Sequence, residues 1–169
     1  ALTAVLGLVA PSAAQQVTKE SREEIKNFAR VETTVACAGA ITADAMPEIK
    51  KMGFVSVINL REAQEPGADI EKQEAAAKAA GLRYYHVPFN GAKPDPKVAD
   101  QFIKVISSKD AAPAFIHCAS ANRASAMWLI KRLSVDRWEV DRAVAEAEAL
   151  GLSNQALKQW AIEYARPDR

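Results

Sequence analysis

The stretch Ala114-Phe115-Ile116-His117-Cys118-Ala119-Ser120-Ala121-Asn122-Arg123-Ala124-Ser125 decides the reading of this chain. Residues 114–117 read as a short buried strand. Small and polar residues follow, and Ala126, Leu129, Ile130 and Leu133 then recur at the i, i+3, i+4, i+7 spacing of a helix. A strand that delivers a cysteine into a small-residue loop opening a helix is suited to holding an anion. Successive backbone N–H groups of such a loop can point into one concavity, and the positive end of the helix dipole adds to them. The same field favours a thiolate at Cys118 and makes it a nucleophile. Arg123 closes the loop with a planar, permanently charged fork that matches the oxygens of an oxyanion. Phosphate, sulfate or another small oxyanion is therefore the expected occupant of the loop formed by His117, Cys118, Ala119, Ser120, Ala121, Asn122 and Arg123.

Outward from the loop, the remaining segments read as an α/β fold. Residues 54–60 are almost continuously apolar, as in a strand covered on both faces within a parallel sheet. Residues 31–36 and 84–88 supply two further strands. Thr42 is placed to cap a helix running to Met52, with Gly53 in the left-handed terminal position. An Ala-rich helix over 69–80 carries Glu74 and Lys78 at i,i+4 and ends at Gly81, and Asp95-Pro96 opens a helix to residue 107. Residues 19–29 predict a short lead-in helix. Periodic apolar residues at Val140, Ala143, Val144 and Ala147, and at Leu157, Trp160, Ala161 and Tyr164, predict two closing ones. Strands alternating with helices through right-handed crossovers give a mostly parallel central sheet flanked by helices.

The 169 residues, 49% apolar and 25% charged, are expected to form one domain over 15–169. A net charge of +1, from 22 basic and 21 acidic residues, argues against bulk attraction to nucleic acid or an anionic membrane, so any anion site has to be local. Residues 1–10 are an apolar run too short to span a bilayer, and Pro11-Ser12-Ala13-Ala14 resembles a small-residue cleavage site. Residues 1–14 are read as the remnant of a secretory signal, which predicts export to the periplasm. The two cysteines, Cys37 and Cys118, are too few for a disulfide framework and lack metal-ligand spacing. Cys37 ends the first expected strand, on the sheet edge that carries Cys118. A disulfide between them requires α-carbons within about 7 Å.

Three stretches together resemble a known family. They are Gly53-Phe54-Val55-Ser56-Val57-Ile58-Asn59-Leu60-Arg61 with Glu65 after it, Gly81-Leu82-Arg83-Tyr84-Tyr85-His86-Val87-Pro88, and the His117 to Arg123 loop. The chain resembles the bacterial phosphatase-like domains also found fused to β-lactamase-like hydrolases, within the dual-specificity tyrosine phosphatase superfamily. The resemblance implies a cysteine-dependent phosphatase with Cys118 as the nucleophile that forms a phosphocysteine. It further implies Arg123 as the phosphate clamp, His117 as a residue ordering the loop, and no metal or organic cofactor.

The chain also departs from that pattern. Phosphatases of the superfamily usually have five residues between cysteine and arginine, whereas Cys118 and Arg123 enclose four, the loop size of rhodanese-like sulfurtransferases that carry a persulfide. The usual loop glycine is replaced by Ala121, so a left-handed residue is expected elsewhere, at Asn122. In the superfamily an aspartate on the loop after the third strand protonates the leaving group. Here that loop holds Asn90, which cannot, and Asp95, whose position before Pro96 also suits a helix cap. Arg61 is placed at the ligand-binding edge of the sheet or in an ion pair with Glu62 or Glu65, and His86 reads as structural. Three functions remain open: a phosphatase acting on phosphate esters, a persulfide-carrying sulfurtransferase, and a non-catalytic oxyanion-binding module.

Overall fold

A computed structural model describes residues 16–166, and the stretch read as a signal remnant lies outside them. Six strands form one sheet: β1 (Val17–Arg22), β2 (Ile25–Val31), β3 (Val35–Ala38), β4 (Ser56–Asn59), β5 (Arg83–His86) and β6 (Ala114–His117). Their spatial order is β1-β2-β3-β6-β4-β5. β3, β6, β4 and β5 run parallel, and β1 and β2 extend the sheet as an antiparallel hairpin. β3, β4 and β6 are buried at every position, which explains why most of their residues are apolar, with Ser56, Asn59 and His117 as the buried polar exceptions.

Helices cover both faces. Α short 3-10 turn (Ala43–Ala45), α1 (Met46–Lys51) and α2 (Ile70–Ala79) enclose a core that includes Phe28, Ile49, Phe54, Val57 and Phe115. α3 (Pro96–Ile106), α4 (Asn122–Ser134), α5 (Val140–Ala149) and α6 (Gln155–Tyr164) enclose the larger core on the other face. α4 lies at the centre of that layer and packs against α3, α5 and α6. Among the described residues, no helix is long and apolar enough to cross a membrane.

Three local expectations are corrected. Residues 19–29 form most of the β1–β2 hairpin rather than a helix. The buried positions Ile25, Phe28, Ala29 and Val31 do not alternate, because Asn27 takes a left-handed conformation at φ 48° and shifts the side-chain phase. The single strand expected over 31–36 is two strands, since Glu32 at φ 45° and the Thr34 N–H to Val31 carbonyl bond turn the chain between β2 and β3. Thr42 makes no side-chain cap, and its carbonyl instead accepts from the Ala45 N–H of the 3-10 turn. Elsewhere local signals are met: Gly53 has φ 96°, Lys78 pairs with Glu74 at 2.7 Å, and the Asp95 carboxylate accepts from the Lys97 N–H at 2.9 Å.

The sheet delivers Cys118 at the carboxyl end of β6, the central strand. The end of β6 is held from both sides: the Cys118 N–H donates to the Ala38 carbonyl at 3.1 Å, and the His117 carbonyl accepts from the Leu60 N–H at 2.9 Å. The chain leaving β3 then packs on the loop, where a Cβ at Gly39 would lie 2.9 Å from the Ala119 oxygen and 3.1 Å from the Lys26 oxygen. Gly39→Val is therefore expected to lower unfolding free energy by about 2 kcal/mol through overpacking against backbone, as measured by urea denaturation. An unchanged midpoint would contradict the close packing.

Candidate active site

The loop between β6 and α4 has a buried base and an exposed rim. Cys118 is wholly buried, whereas Ala119 and Ser120 are exposed. The Ala119 carbonyl accepts from the Ala40 N–H at 3.0 Å, and the Ser120 carbonyl accepts from Asn27 Nδ2 at 3.3 Å. In a trans peptide the carbonyl and N–H point in opposite directions, so these outer contacts turn the N–H groups of Ser120 and Ala121 the other way. The left-handed residue is Ala121, at φ 77° and ψ −20°, and not Asn122. The ring needs the reversal immediately before the helix begins, whatever side chain stands there. Asn122 anchors the loop instead: its Oδ1 accepts from the Ser153 and Asn154 N–H groups, both at 2.8 Å.

Arg123 is held by several partners. Its Nη1 donates to Glu65 Oε1 at 2.6 Å, to the Phe89 carbonyl at 3.0 Å and to the Leu60 carbonyl at 3.2 Å, while Nη2 donates to Glu65 Oε2 at 2.8 Å. Burial opposes the charge of Arg123. The Glu65 carboxylate outweighs it, together with charge and hydrogen bonding from the Cys118 sulfur, and the guanidinium pKa lies above its ordinary value. The structure thus brings Cys118 and Arg123 together. Burial also opposes ionisation of Glu65, but the fork of Arg123, the Glu62 backbone and Arg61 hold its pKa at about 2. Arg61 pairs with Glu65 rather than Glu62, at 3.2 Å, and gives its other nitrogens to the carbonyls of Pro66 and Gly67. The role of Glu65 in holding Arg123 was not readable from the sequence, because the two stand 58 positions apart and the i,i+4 spacing to Arg61 drew the assignment.

The loop after β5 lies on Arg123, and a Cβ at Gly91 would stand 3.2 Å from Arg123 Cγ. Asn90 in this loop folds its Oδ1 back onto the N–H groups of Ala92 and Lys93 and donates to Glu62. Asp95 is exposed and caps α3, and among the described residues no hydrogen bond or ion pair joins it to Cys118 or Arg123.

His117 is buried, and among the described residues neither of its ring nitrogens has a hydrogen-bond partner. Burial pushes its pKa down to about 3, with the charge of Arg61 acting in the same direction and the Cys118 backbone against it. Its ring is neutral. His86 accepts a structural place, its Nε2 lying 2.8 Å from the Arg61 carbonyl oxygen. Cys37 and Cys118 are free thiols within the same buried cluster, not a disulfide. Burial raises the Cys37 pKa, a contact with Ser125 working against that shift and the nearby Cys118 adding to it.

A parallel four-stranded core thus delivers Cys118 and Arg123 into one loop at the carboxyl end of its central strand. Residues 27–135 match the family described as "Beta-lactamase hydrolase-like protein, phosphatase-like domain", and the chain belongs to that family. Two curated relatives are the beta-lactamase hydrolase-like proteins of Xylella fastidiosa strains Temecula1 and 9a5c. The first is 30% identical over 140 residues (78% of this chain, 32% of the relative) and the second 31% over 121 residues (69% and 26%). The chain therefore spans a third or less of their length. Solved structures share the fold. A DUF442 protein from Shewanella putrefaciens has a TM-score of 0.68 at 18% identity, covering 85% of this chain and 88% of its own. TpbA of P. aeruginosa in complex with pTyr has 0.66 at 16%, covering 94% and 92%. The core catalytic domain of the PP-IP phosphatase SIW14 of S. cerevisiae, in complex with citrate, has 0.66 at 15%, covering 85% and 88%.

Two predictions follow from the charges. Glu65→Gln leaves a largely buried guanidinium without its counter-charge and is expected to cost about 3 kcal/mol of stability and to weaken phosphate binding, read by denaturation and calorimetric titration. Unchanged stability and affinity would refute the clamp. His117 and Glu65 both have depressed folded-state pKa values, so the unfolded chain binds more protons on acidification. The contribution of His117 is present above 6.5 and lost as the pH falls towards 3, and that of Glu65 is present above 4.5 and lost towards 2. His117→Asn is expected to flatten the stability profile between pH 6.5 and 4.5, measured by denaturation across that range. A slope identical to wild type would contradict the neutral buried imidazole.

Proposed function

We propose that this domain is a cysteine-dependent phosphatase acting on phosphate esters of the phosphotyrosine type. The observation that carries the reading is the buried Cys118 beside a guanidinium fixed by Glu65. In the proposed reaction the Cys118 thiolate attacks phosphorus, the bond to the ester oxygen breaks, and the phenolate departs with the electron pair and takes its proton from water. Water then cleaves the phosphorus–sulfur bond, releasing phosphate and the thiolate. Arg123 and the loop N–H groups stabilise the charge on the equatorial oxygens. General acid catalysis usually contributes about 10²–10⁴ in rate. With Asp95 occupied as a helix cap, phenol-type leaving groups are favoured because they depart as stable anions. That one structural neighbour is a complex with pTyr and another a complex with citrate supports an anionic ligand for this fold. On the reading of residues 1–14 as a secretory signal, the proposed compartment is the periplasm.

The spacing of four residues between Cys118 and Arg123 favours a second reading, persulfide transfer. Here Cys118 attacks the outer sulfur of thiosulfate, sulfite leaves, and the persulfide passes to an acceptor thiol. No acid is needed. Assaying reduced wild type and Cys118→Ser with an aryl phosphate and with thiosulfate separates the two. Vanadate-inhibited hydrolysis that Cys118→Ser abolishes is the expected result. Thiosulfate turnover and a one-sulfur mass increase on Cys118, without hydrolysis, would replace it with the sulfurtransferase, and anion binding without turnover would leave a recognition module.

A further inference from the structure

A cavity of about 470 Å³ opens between the β1–β2 hairpin and the α5–α6 connection, and Ser120 and Asn122 of the Cys-Arg loop form part of its wall. Ser120 is exposed on the rim of that loop, so the loop and the cavity share this residue. The space exists because Ala29, Ala149 and Gly151 line it with little side chain. Gly151 adopts φ +120°, and a Cβ there would lie 3.1 Å from that of Ala121, so this wall stays low where it meets the loop.

The charges in the cavity are unequal. Lys19 lies opposite Ala29 in the β1–β2 register, which places both side chains on the same face of the sheet. Glu20 is neutralised by Arg22 at 2.6 Å and Arg30 at 2.7 Å. Lys19 has no carboxylate partner among the described residues, although it lines the cavity. On the opposite wall Asn122 Oδ1 accepts from the N–H groups of Ser153 and Asn154 and from the exposed Ser153 hydroxyl at 3.3 Å. Among the described residues the cavity offers Lys19 without a carboxylate partner and the exposed Ser120 and Ser153 hydroxyls, while its carboxylate, Glu20, is paired.

We propose that this cavity is a second anion subsite, which selects phosphate esters carrying a further anionic group on the leaving portion. The inference rests on the reading of the Cys-Arg loop as an oxyanion cradle and names the substrate class that cradle serves. One phosphoryl group occupies the loop, the connecting atoms cross Ser120, and the second anion meets Lys19.

The test is calorimetric titration of the reduced protein with methylphosphonate, which fills the loop alone, and with a short alkylene bisphosphonate, which reaches both sites and cannot be hydrolysed. Wild type is expected to bind the bisphosphonate about fivefold more tightly, the size of one partly exposed ion pair. Lys19→Ala brings the ratio to near one, and Lys19→Glu brings it below one. β1 is an edge strand, where a lysine also deters sheet-to-sheet pairing, but that role predicts no change in the ratio. Equal wild-type affinities, or a ratio that Lys19→Ala leaves unmoved, would overturn the subsite. Binding of neither ligand would overturn the cradle itself and the subsite with it.

Discussion

Arg123 cannot hold its position alone, because a guanidinium with only 13% of its side chain exposed needs its charge compensated where it lies. Glu65 supplies the charge through two parallel hydrogen bonds, and the carbonyls of Leu60 and Phe89 accept from Nη1 as well. Leu60 follows β4 and Phe89 follows β5, so one side chain at the start of α4 links the ends of two strands. Glu65 is positioned in turn by Arg61, whose remaining nitrogens bind the backbone of Pro66 and Gly67. A lysine at position 123 would keep the charge and lose the two-pronged geometry.

The same economy governs the loop backbone. Peptide carbonyls that pointed inward would repel an anion. At Ala119 and Ser120 they are drawn outward by Ala40 and Asn27. Asn27 reaches Ser120 from a left-handed position in β2, and Gly39 lets the chain pass against Ala119 without a Cβ. The reversal at Ala121 costs an L-residue about 1–2 kcal/mol. It persists because the Ser125 N–H binds the Ala121 carbonyl at 2.9 Å and Asn122 fastens the following turn to residues 153 and 154. The irregular β1–β2 hairpin is therefore part of the loop's support as well as an extension of the sheet.

This explains which features were legible in the sequence. The parallel core could be read because β3, β4 and β6 are covered on both faces and admit only apolar or small side chains at most positions. The loop could be read because its residues are contiguous. The hairpin could not: its left-handed Asn27 erases the two-residue period, and its burial pattern mixes with polar residues that face solvent. The Glu65–Arg123 pair was invisible because only the tertiary fold brings those positions together. The left-handed site was assigned to Asn122 on residue preference, but the closing geometry of the ring places it at Ala121. Local preference yields where a loop is fastened at both ends.

The two candidate chemistries share one demand on the leaving group. In phosphoryl transfer to Cys118 from an aryl ester, the departing atom is a phenolate oxygen. In sulfur transfer from thiosulfate, it is the sulfur of sulfite. Each departs as a stable anion, so neither requires the proton donor that Asn90 cannot supply and that Asp95, capping α3, does not offer to the loop. What separates them is the size of the group the ring must enclose. A phosphoryl group presents three equatorial oxygens to the N–H groups and to Arg123, whereas a transferred sulfur atom presents none and needs only a stabilised terminal thiolate. A loop of four intervening residues has fewer inward N–H groups to offer than one of five, so Arg123 must carry more of the charge stabilisation in phosphoryl transfer. The rigid anchoring of that guanidinium by Glu65 and two backbone carbonyls is the feature through which a small ring can still serve a tetrahedral group.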